Sequence, residues 1–429
     1  MAQSAAVIAL NTTSAADEYI LNKKSEFRPI IRQHSDFSQF HRVTKLPGTA
    51  FVGQTVEVIL NPKELGDLMT NVYLALTMPP LPTGYYYTEY IGRAIIEHIE
   101  FRIGEQIVEK ITDDWYVIHD QILLDADEKL AMYKCINNSQ TPGSPVVANT
   151  AFELMIPLEL FFCRRHSHGI AARQRIERPP LPLCAAINQK ISFKFFFRPQ
   201  TWFTNYNTPI QFINPRLITE EIMLKAEERL YYREKPFKAV INVMKNDAVT
   251  GYQNGQPTQY FTADFPVTMM VWFVRNSAYE NSSVNNYYAS RYAFGYTTKY
   301  LQATTPITFF DGTVSNYIDV LQSSDIYLNG KNIMGSFATG PFYQFKQTMD
   351  HGLSVPSKSL YIYCFGKSPK EYNQGGYLNF KNINSQTSKI VMTFVPGYSP
   401  NIQANYRISL YYYGYGVLQI AGGQATLLS

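Results

Sequence analysis

The segment from residue 351 to the end constrains the fold more than any other part of the chain. A proline-bearing loop, His351-Gly352-Leu353-Ser354-Val355-Pro356-Ser357, runs into the dense apolar stretch Leu360-Tyr361-Ile362-Tyr363-Cys364-Phe365. A Pro/Gly-broken link ends in Gly376-Tyr377-Leu378-Asn379-Phe380, and Ile390-Val391-Met392-Thr393-Phe394-Val395 follows. The chain closes on Tyr406-Arg407-Ile408-Ser409-Leu410-Tyr411-Tyr412, where Tyr406, Ile408, Leu410 and Tyr412 alternate with Arg407 and Ser409. A period of two places alternate side chains on opposite faces, so these are strands with a buried face.

The same vocabulary runs through the first half. Val72, Leu74, Leu76 and Met78 share a face until Pro79-Pro80-Leu81-Pro82 stops the strand, because proline cannot donate to a ladder. Val52, Val56, Val58 and Leu60 repeat the pattern against Thr55 and Glu57, as do Ile191, Phe193, Phe195 and Phe197 against Ser192 and Lys194. From Pro266 to Arg275 both faces are apolar, as in a sandwich core or a contact between domains. One helix stands out. Thr112 is placed to cap it, Asp113 and Asp114 suit the positive end of its dipole, and Trp115, Ile118 and Ile122 fall on one side. Residues 219–229 also fit a helical period.

With 429 residues the chain has room for two domains, each with its own core. The division is expected near Asn214-Pro215, leaving an arm at 1–25, a domain at 26–215 and another at 216–429. Charged residues are only 17% of the chain, against roughly 25% in typical soluble proteins. Against 38 Lys/Arg and 34 Asp/Glu stand 32 Tyr, 27 Phe and 3 Trp. An aromatic-rich, charge-poor exterior suits association with other subunits. Net charge is +4, and no basic run exceeds Lys23-Lys24 or Arg164-Arg165. Direct nucleic-acid binding is therefore not expected. Cys135, Cys163, Cys184 and Cys364 lack a pairing pattern and read as buried thiols of a reducing compartment. The first residues lack the basic region of a signal peptide, and no stretch reaches the ~20 apolar residues of a membrane span. A soluble product made inside the cell is expected.

Taken in order, several segments resemble the major capsid proteins of nucleocytoplasmic large DNA viruses. Gly66-Asp67-Leu68-Met69-Thr70-Asn71-Val72-Tyr73-Leu74 matches that family's turn feeding a strand. Tyr90-Ile91-Gly92-Arg93-Ala94-Ile95-Ile96 and Glu100-Phe101-Arg102-Ile103-Gly104 match the strand pair before a helix. Met155-Ile156-Pro157-Leu158-Glu159-Leu160-Phe161-Phe162-Cys163 and Pro180-Leu181-Pro182-Leu183-Cys184 match a proline–leucine–aromatic strand and a linker. In the second half Asp325-Ile326-Tyr327-Leu328-Asn329-Gly330 and the C-terminal segment correspond. Tryptophans expected near Phe161-Phe162 are absent, and Arg173-Gln174-Arg175-Ile176-Glu177-Arg178 precedes the prolines, which leaves the subfamily and the virus open.

The resemblance implies an all-β fold of two tandem eight-stranded jelly-roll sandwiches, a double jelly roll. It also implies a non-enzymatic major capsid protein whose homotrimer forms a pseudo-hexagonal capsomer tiling an icosahedral shell. The implied partners are neighbouring capsomers and minor capsid and penton proteins, with the arm at 1–25 on the inner face near an internal membrane. In this family residues around 219 begin as a strand, whereas the period reads as helix; both readings stand at this point. A minor capsid paralogue, an assembly scaffold, and a carbohydrate-binding β-sandwich remain alternatives. Fold alone does not dictate role.

Enzyme-like patterns are incomplete. Cys163-Arg164-Arg165-His166-Ser167-His168 offers an H-x-H pair but lacks the glutamate a jelly-roll metal site needs, so neither metal nor cofactor is expected. His98-Ile99-Glu100 opens like a zinc deaminase motif, yet no Pro-Cys-x-x-Cys follows. Asp113-Asp114 and Glu220-Glu221 have the composition of a glycosidase acid pair, but a solvated helix start explains them more simply. Asn11, Asn137 and Asn281 are candidate glycosylation sequons, with Asn281 the one expected on an outer loop. Long Asn/Tyr/Ser-rich loops at 137–150, 200–208, 246–262 and 276–304 are expected at the sandwich ends.

Overall fold

The computed structural model describes residues 35–138, 146, 148–163, 178–247, 250–252, 257–276, 307–308, 314–315, 321–335, 337–371, 375–394 and 406–428. The elements below all lie within one compact unit, Phe37–Ser429.

The first half supplies β1 (Phe37–Lys45), β2 (Thr55–Leu60), β3 (Leu68–Met78), β4 (Ile96–Ile103) and β5 (Gln106–Thr112). It continues with β6 (Phe152–Pro157), the short β7 (Leu181–Pro182), β8 (Ile191–Phe197) and β9 (Ile213–Leu224). Between them sit α1 (Ile91–Ala94), α2 (Asp113–Ile122) and α3 (Ala126–Asn137). One sheet runs β1-β9-β3-β6 and its mate β2-β8-β4-β5. The alternation read in the sequence is what joins them. Val72, Leu74, Leu76 and Met78 of β3 meet Val56, Val58 and Leu60 of β2 and Phe193 and Phe195 of β8 in one core. Val52 falls in the turn before β2.

Helix α4 (Ala226–Glu234) then leads into β10 (Phe237–Asn246), β11 (Thr250–Tyr252), β12 (Thr258–Tyr260) and β13 (Pro266–Asn276). After these come β14 (Ile307–Thr308), β15 (Val314–Ser315), β16 (Leu321–Leu328), β17 (Lys331–Asn332) and β18 (Tyr361–Cys364). The chain ends with β19 (Leu378–Asn379), β20 (Lys389–Phe394), β21 (Tyr406–Ala421) and β22 (Gln424–Leu428). The sheets run β10-β21-β13-β18 and β12-β20-β16-β17, with β11, β19 and β22 attached to the first.

Once the short attached strands and the separate β14-β15 pair are set aside, each half carries eight strands among the described residues. In both, one sheet has the order first, eighth, third, sixth and the other second, seventh, fourth, fifth. That order is a jelly roll, so the chain is a double jelly roll.

The stretch in dispute at 213–234 resolves into both elements. Residues 213–224 are strand β9, and the helix begins only at Ala226. Strand wins because β9 is laddered on both sides, to β1 and to β3, which a helix there would leave unpaired. The expected division near Asn214-Pro215 therefore falls inside a strand of the first sandwich. The sheets change hands between Leu224 and Phe237.

Strand β13 explains its own two apolar faces. Met269, Val271 and Phe273 join the cluster that holds the first-half core. Val267, Met270, Trp272 and Val274 face the second sandwich. Neighbouring β21 does the same, with Tyr411 and Tyr413 on one side and Ile408, Leu410 and Tyr412 on the other. One sheet thus serves two cores.

Cys163, Cys184 and Cys364 are buried and Cys135 half-buried, all as free thiols. Burial pushes the Cys184 thiol up to about 11, which keeps it protonated and unreactive near neutrality.

Candidate functional site

Helix α2 is one of the elements through which the two sandwiches meet. Its start is as read: the Thr112 hydroxyl accepts from the Trp115 amide at 3.3 Å, with Asp113 and Asp114 in the first turn. Its surroundings are not. All ten residues are buried, so Asp113 and Asp114 are not a solvated helix start. Asp113 accepts from Arg198 at 2.8 Å, and that guanidinium lies 4.1 Å from the Trp202 ring centroid. Asp114 reaches the other sandwich and accepts two bonds from Arg275 of β13, at 2.8 and 3.2 Å. Arg275 in turn lies over Phe273. A forked guanidinium matches a carboxylate in both charge and shape, which is how two ions are held away from water. The next residue continues the contact, since Trp115 stacks on Tyr411 at 5.9 Å and Tyr413 at 5.4 Å, both from β21.

The other end of α2 receives the proline loop at 351–357. The Ser354 amide donates to the Ile122 carbonyl at 2.9 Å, filling one of the acceptors a helix end leaves open. The Gln121 side-chain oxygen accepts from both the amide and the hydroxyl of Ser357 at 2.8 Å. Its nitrogen donates to Tyr90 at 2.6 Å and Tyr133 at 3.0 Å. Beside them Lys358 pairs with Glu89 at 3.1 Å, both side chains buried. Burial holds the Tyr90 hydroxyl well above its ordinary range, so it stays a proton donor. Further along the helix Arg93 forks onto Asp120 at 3.0 and 3.2 Å under the Tyr116 ring.

Where the enzyme-like patterns fall on described residues, their side chains are held in ion pairs, hydrogen bonds and ring contacts of the fold. Glu220 and Glu221 are buried on β9, where Glu221 accepts from Arg42 at 3.0 Å, from the Gly66 amide at 2.6 Å and from Thr219 at 2.7 Å. Glu220 accepts from Asn71. His98 stacks on Phe196 at 3.9 Å on β4, and burial chiefly lowers its pKa. Neighbouring Glu100 is taken by Arg102 at 2.6 Å. Among the described residues no three His, Cys, Asp or Glu gather to hold a metal ion. Residues 164–168 lie outside the described residues.

The sequon at Asn137 is not available for a glycan. Asn137 ends α3 at 1% exposure, and its side-chain oxygen accepts from the Ile91 amide at 2.9 Å. Asn11 and Asn281 lie outside the described residues.

Glu109 is a group that the sequence reading passed over. It points inward from β5 and accepts from the Phe161 amide at 2.9 Å. Burial pushes its carboxyl up to about 8, against the pull of that amide and of Arg178. The folded value lies above the unfolded one, so the native state keeps a proton that the unfolded chain releases. Stability should fall as pH rises from about 4.5 to about 8. Glu109→Gln keeps an acceptor for Phe161 and should stabilise the protein at pH above 8, by an amount on the order of 1–3 kcal/mol, with little effect at acid pH. Thermal unfolding of both proteins across pH checks this; parallel curves would exclude it.

The comparisons with known proteins agree with this architecture. A family model for the major capsid protein N-terminus matches residues 25–215, and a model for the large eukaryotic DNA virus major capsid protein matches residues 228–426. The chain belongs to the large eukaryotic DNA virus major capsid protein family. The major capsid protein of Paramecium bursaria Chlorella virus 1 is 22% identical, covering 94% of this chain and 93% of that one. That of Pyramimonas orientalis virus is 20% identical, covering 94% and 92%. The PBCV-1 virus capsid structure superposes with a TM-score of 0.73 at 18% identity, covering 94% of this chain and 100% of that one. The Faustovirus major capsid protein gives 0.68 at 10% identity, over 97% and 96%.

Proposed function

We propose that this chain is a non-enzymatic shell subunit, three copies of which form a pseudo-hexagonal capsomer that tiles an icosahedral capsid around a large double-stranded DNA genome. The observation that carries this reading is the same eight-strand order occurring twice in one chain with a shared wall between. Two equivalent sandwiches per chain give six per trimer, so a threefold object presents a nearly sixfold outline to its neighbours. Placing the division at α4, the first sandwich is 37–224 and the second 237–428, with the arm at 1–25 lying inward toward minor capsid proteins or a membrane. Assembly takes place in the host cytoplasm or a viral factory.

Exposed apolar residues supply adhesive surface. Phe337 is 63% and Met349 73% exposed; Met349 and Phe345 lie on the helical turn at 342–350, and Phe337 packs against Phe342 of that turn at 5.4 Å. Obligate interfaces bury on the order of 2,000–5,000 Å² and resemble a cut core. Native mass spectrometry of purified protein tests the reading: a trimer that survives dilution is expected, and it should also survive deletion of residues 1–25. A monomer would refute the capsomer, whereas a trimer lost with the arm would refute only the arm's peripheral placement.

A further inference from the structure

We infer that the outer face of the β2-β8-β4-β5 sheet is a self-complementary surface through which two copies of this chain meet about a two-fold axis. The inference deepens the shell reading and rests on it, since it names the contact by which one capsomer finds the next.

The face is ordered in rows that cross all four strands. The central row reads Glu57, Lys194, Glu100, Lys110, each residue opposite the next in the ladder. Charges therefore alternate in sign from one edge to the other. The row on one side reads Ile59, Ser192, Arg102, Ile107, and on the other Thr55, Phe196, His98, Thr112.

Such a pattern has a specific symmetry. A two-fold axis parallel to the strands, passing between β8 and β4, lays the sheet of one copy over another with its strand order reversed. Glu57 then faces Lys110 and Lys194 faces Glu100, so every charge of the central row meets its opposite. In the flanking rows Ile59 meets Ile107, Ser192 meets Arg102, and Phe196 meets His98. An even row of alternating charges is opposite in sign about its midpoint, which is what an isologous contact requires.

Exposure favours the same conclusion. Ile59 is 56% and Ile107 41% exposed on opposite edge strands of a charged face. Nothing among the described residues covers them fully, and the operator that matches the charges also brings them together. Glu57 and Lys110 are exposed as well, while Glu100 and Arg102 are already fixed to each other at 2.6 Å. The outer pairs are thus left to set the encounter, in a contact that is polar, salt-sensitive and reversible. Reversibility suits a lattice that must release misplaced units.

The test is a charge swap in the full-length protein followed by sedimentation velocity at low and high salt. Wild type should double its base oligomer with rising concentration, less so in salt. Glu57→Lys and Lys110→Glu should each weaken doubling by about tenfold, because every two-fold contact then carries two like-charge meetings. An equimolar mixture of the two variants should recover it, since each reversed residue now faces its opposite on the other protein. A mixture no better than its components, a variant that doubles like wild type, or a wild type that never doubles would each overturn the contact. Native mass spectra of the same samples separate this from the capsomer reading. A trimer whose charge swap fails sinks only the two-fold surface; a monomer whose swap succeeds sinks only the trimer.

Discussion

Asp114→Ala is expected to destabilise the whole unit by about 3–5 kcal/mol, the cost of leaving Arg275 buried without the carboxylate that holds it. The two side chains are 6% and 3% exposed, so water cannot take the place of the lost partner. The loss should appear in guanidinium unfolding as one cooperative shift, because the pair joins two sandwiches sharing a core. The partner substitution Arg275→Met added to Asp114→Ala should recover much of the loss, since an apolar replacement for both ions removes the stranded charge. The surface pair Lys346–Asp350, 58% and 43% exposed, makes a useful contrast; Asp350→Ala should cost less than about 1 kcal/mol. If Asp114→Ala costs no more than Asp350→Ala, the seam is not held by this pair.

A second large effect is expected at Gly414. It lies in β21 opposite Val267 of β13, where the register slips. A β-carbon there would sit 1.9 Å from the Pro266 carbonyl oxygen and 2.8 Å from its carbon. Those atoms are backbone in the middle of a sheet and cannot step aside. Gly414→Ala should therefore cost about 4 kcal/mol or more, or prevent accumulation of folded protein. Gly416→Ala is the milder neighbour, because its β-carbon would meet a methyl of Val243, a side chain at the partly buried end of β10. Comparing soluble yield and denaturation midpoint of the two variants distinguishes a backbone clash from a general dislike of side chains at these positions.

Much of the fold was legible because period-two patterns are local. Val72 to Met78, Val56 to Leu60 and Ile191 to Phe197 each declare a buried face without help from the rest of the chain. The two apolar faces of 266–275 could be read as a sandwich core or a domain contact, and they are both. What the sequence could not disclose is pairing at a distance. Asp113-Asp114 looks like any acidic first turn until Arg275, 161 positions later, is brought beside it. Glu220-Glu221 has the look of a helix start, and only the ladders to β1 and β3 show otherwise. Asn137 satisfies a sequon by spelling alone, while its burial against α1 is a tertiary matter. The charged rows across β2, β8, β4 and β5 were half visible, since Glu57 and Lys194 appear as polar members of their strands. Their alignment needed the register.

The sheet β10-β21-β13-β18 has a consequence for how such a chain can have arisen and can change. A repeated module normally keeps a wet exterior and can be cut out, shuffled or traded between relatives. Here the repeat has given up that independence: excised alone, the C-terminal half would present Met269, Val271, Phe273 and Tyr413 to solvent as a raw wound. Whatever the ancestry of the two halves, they have become obligate heirs of one another, and variation is freer at their rims than in the wall they hold in common.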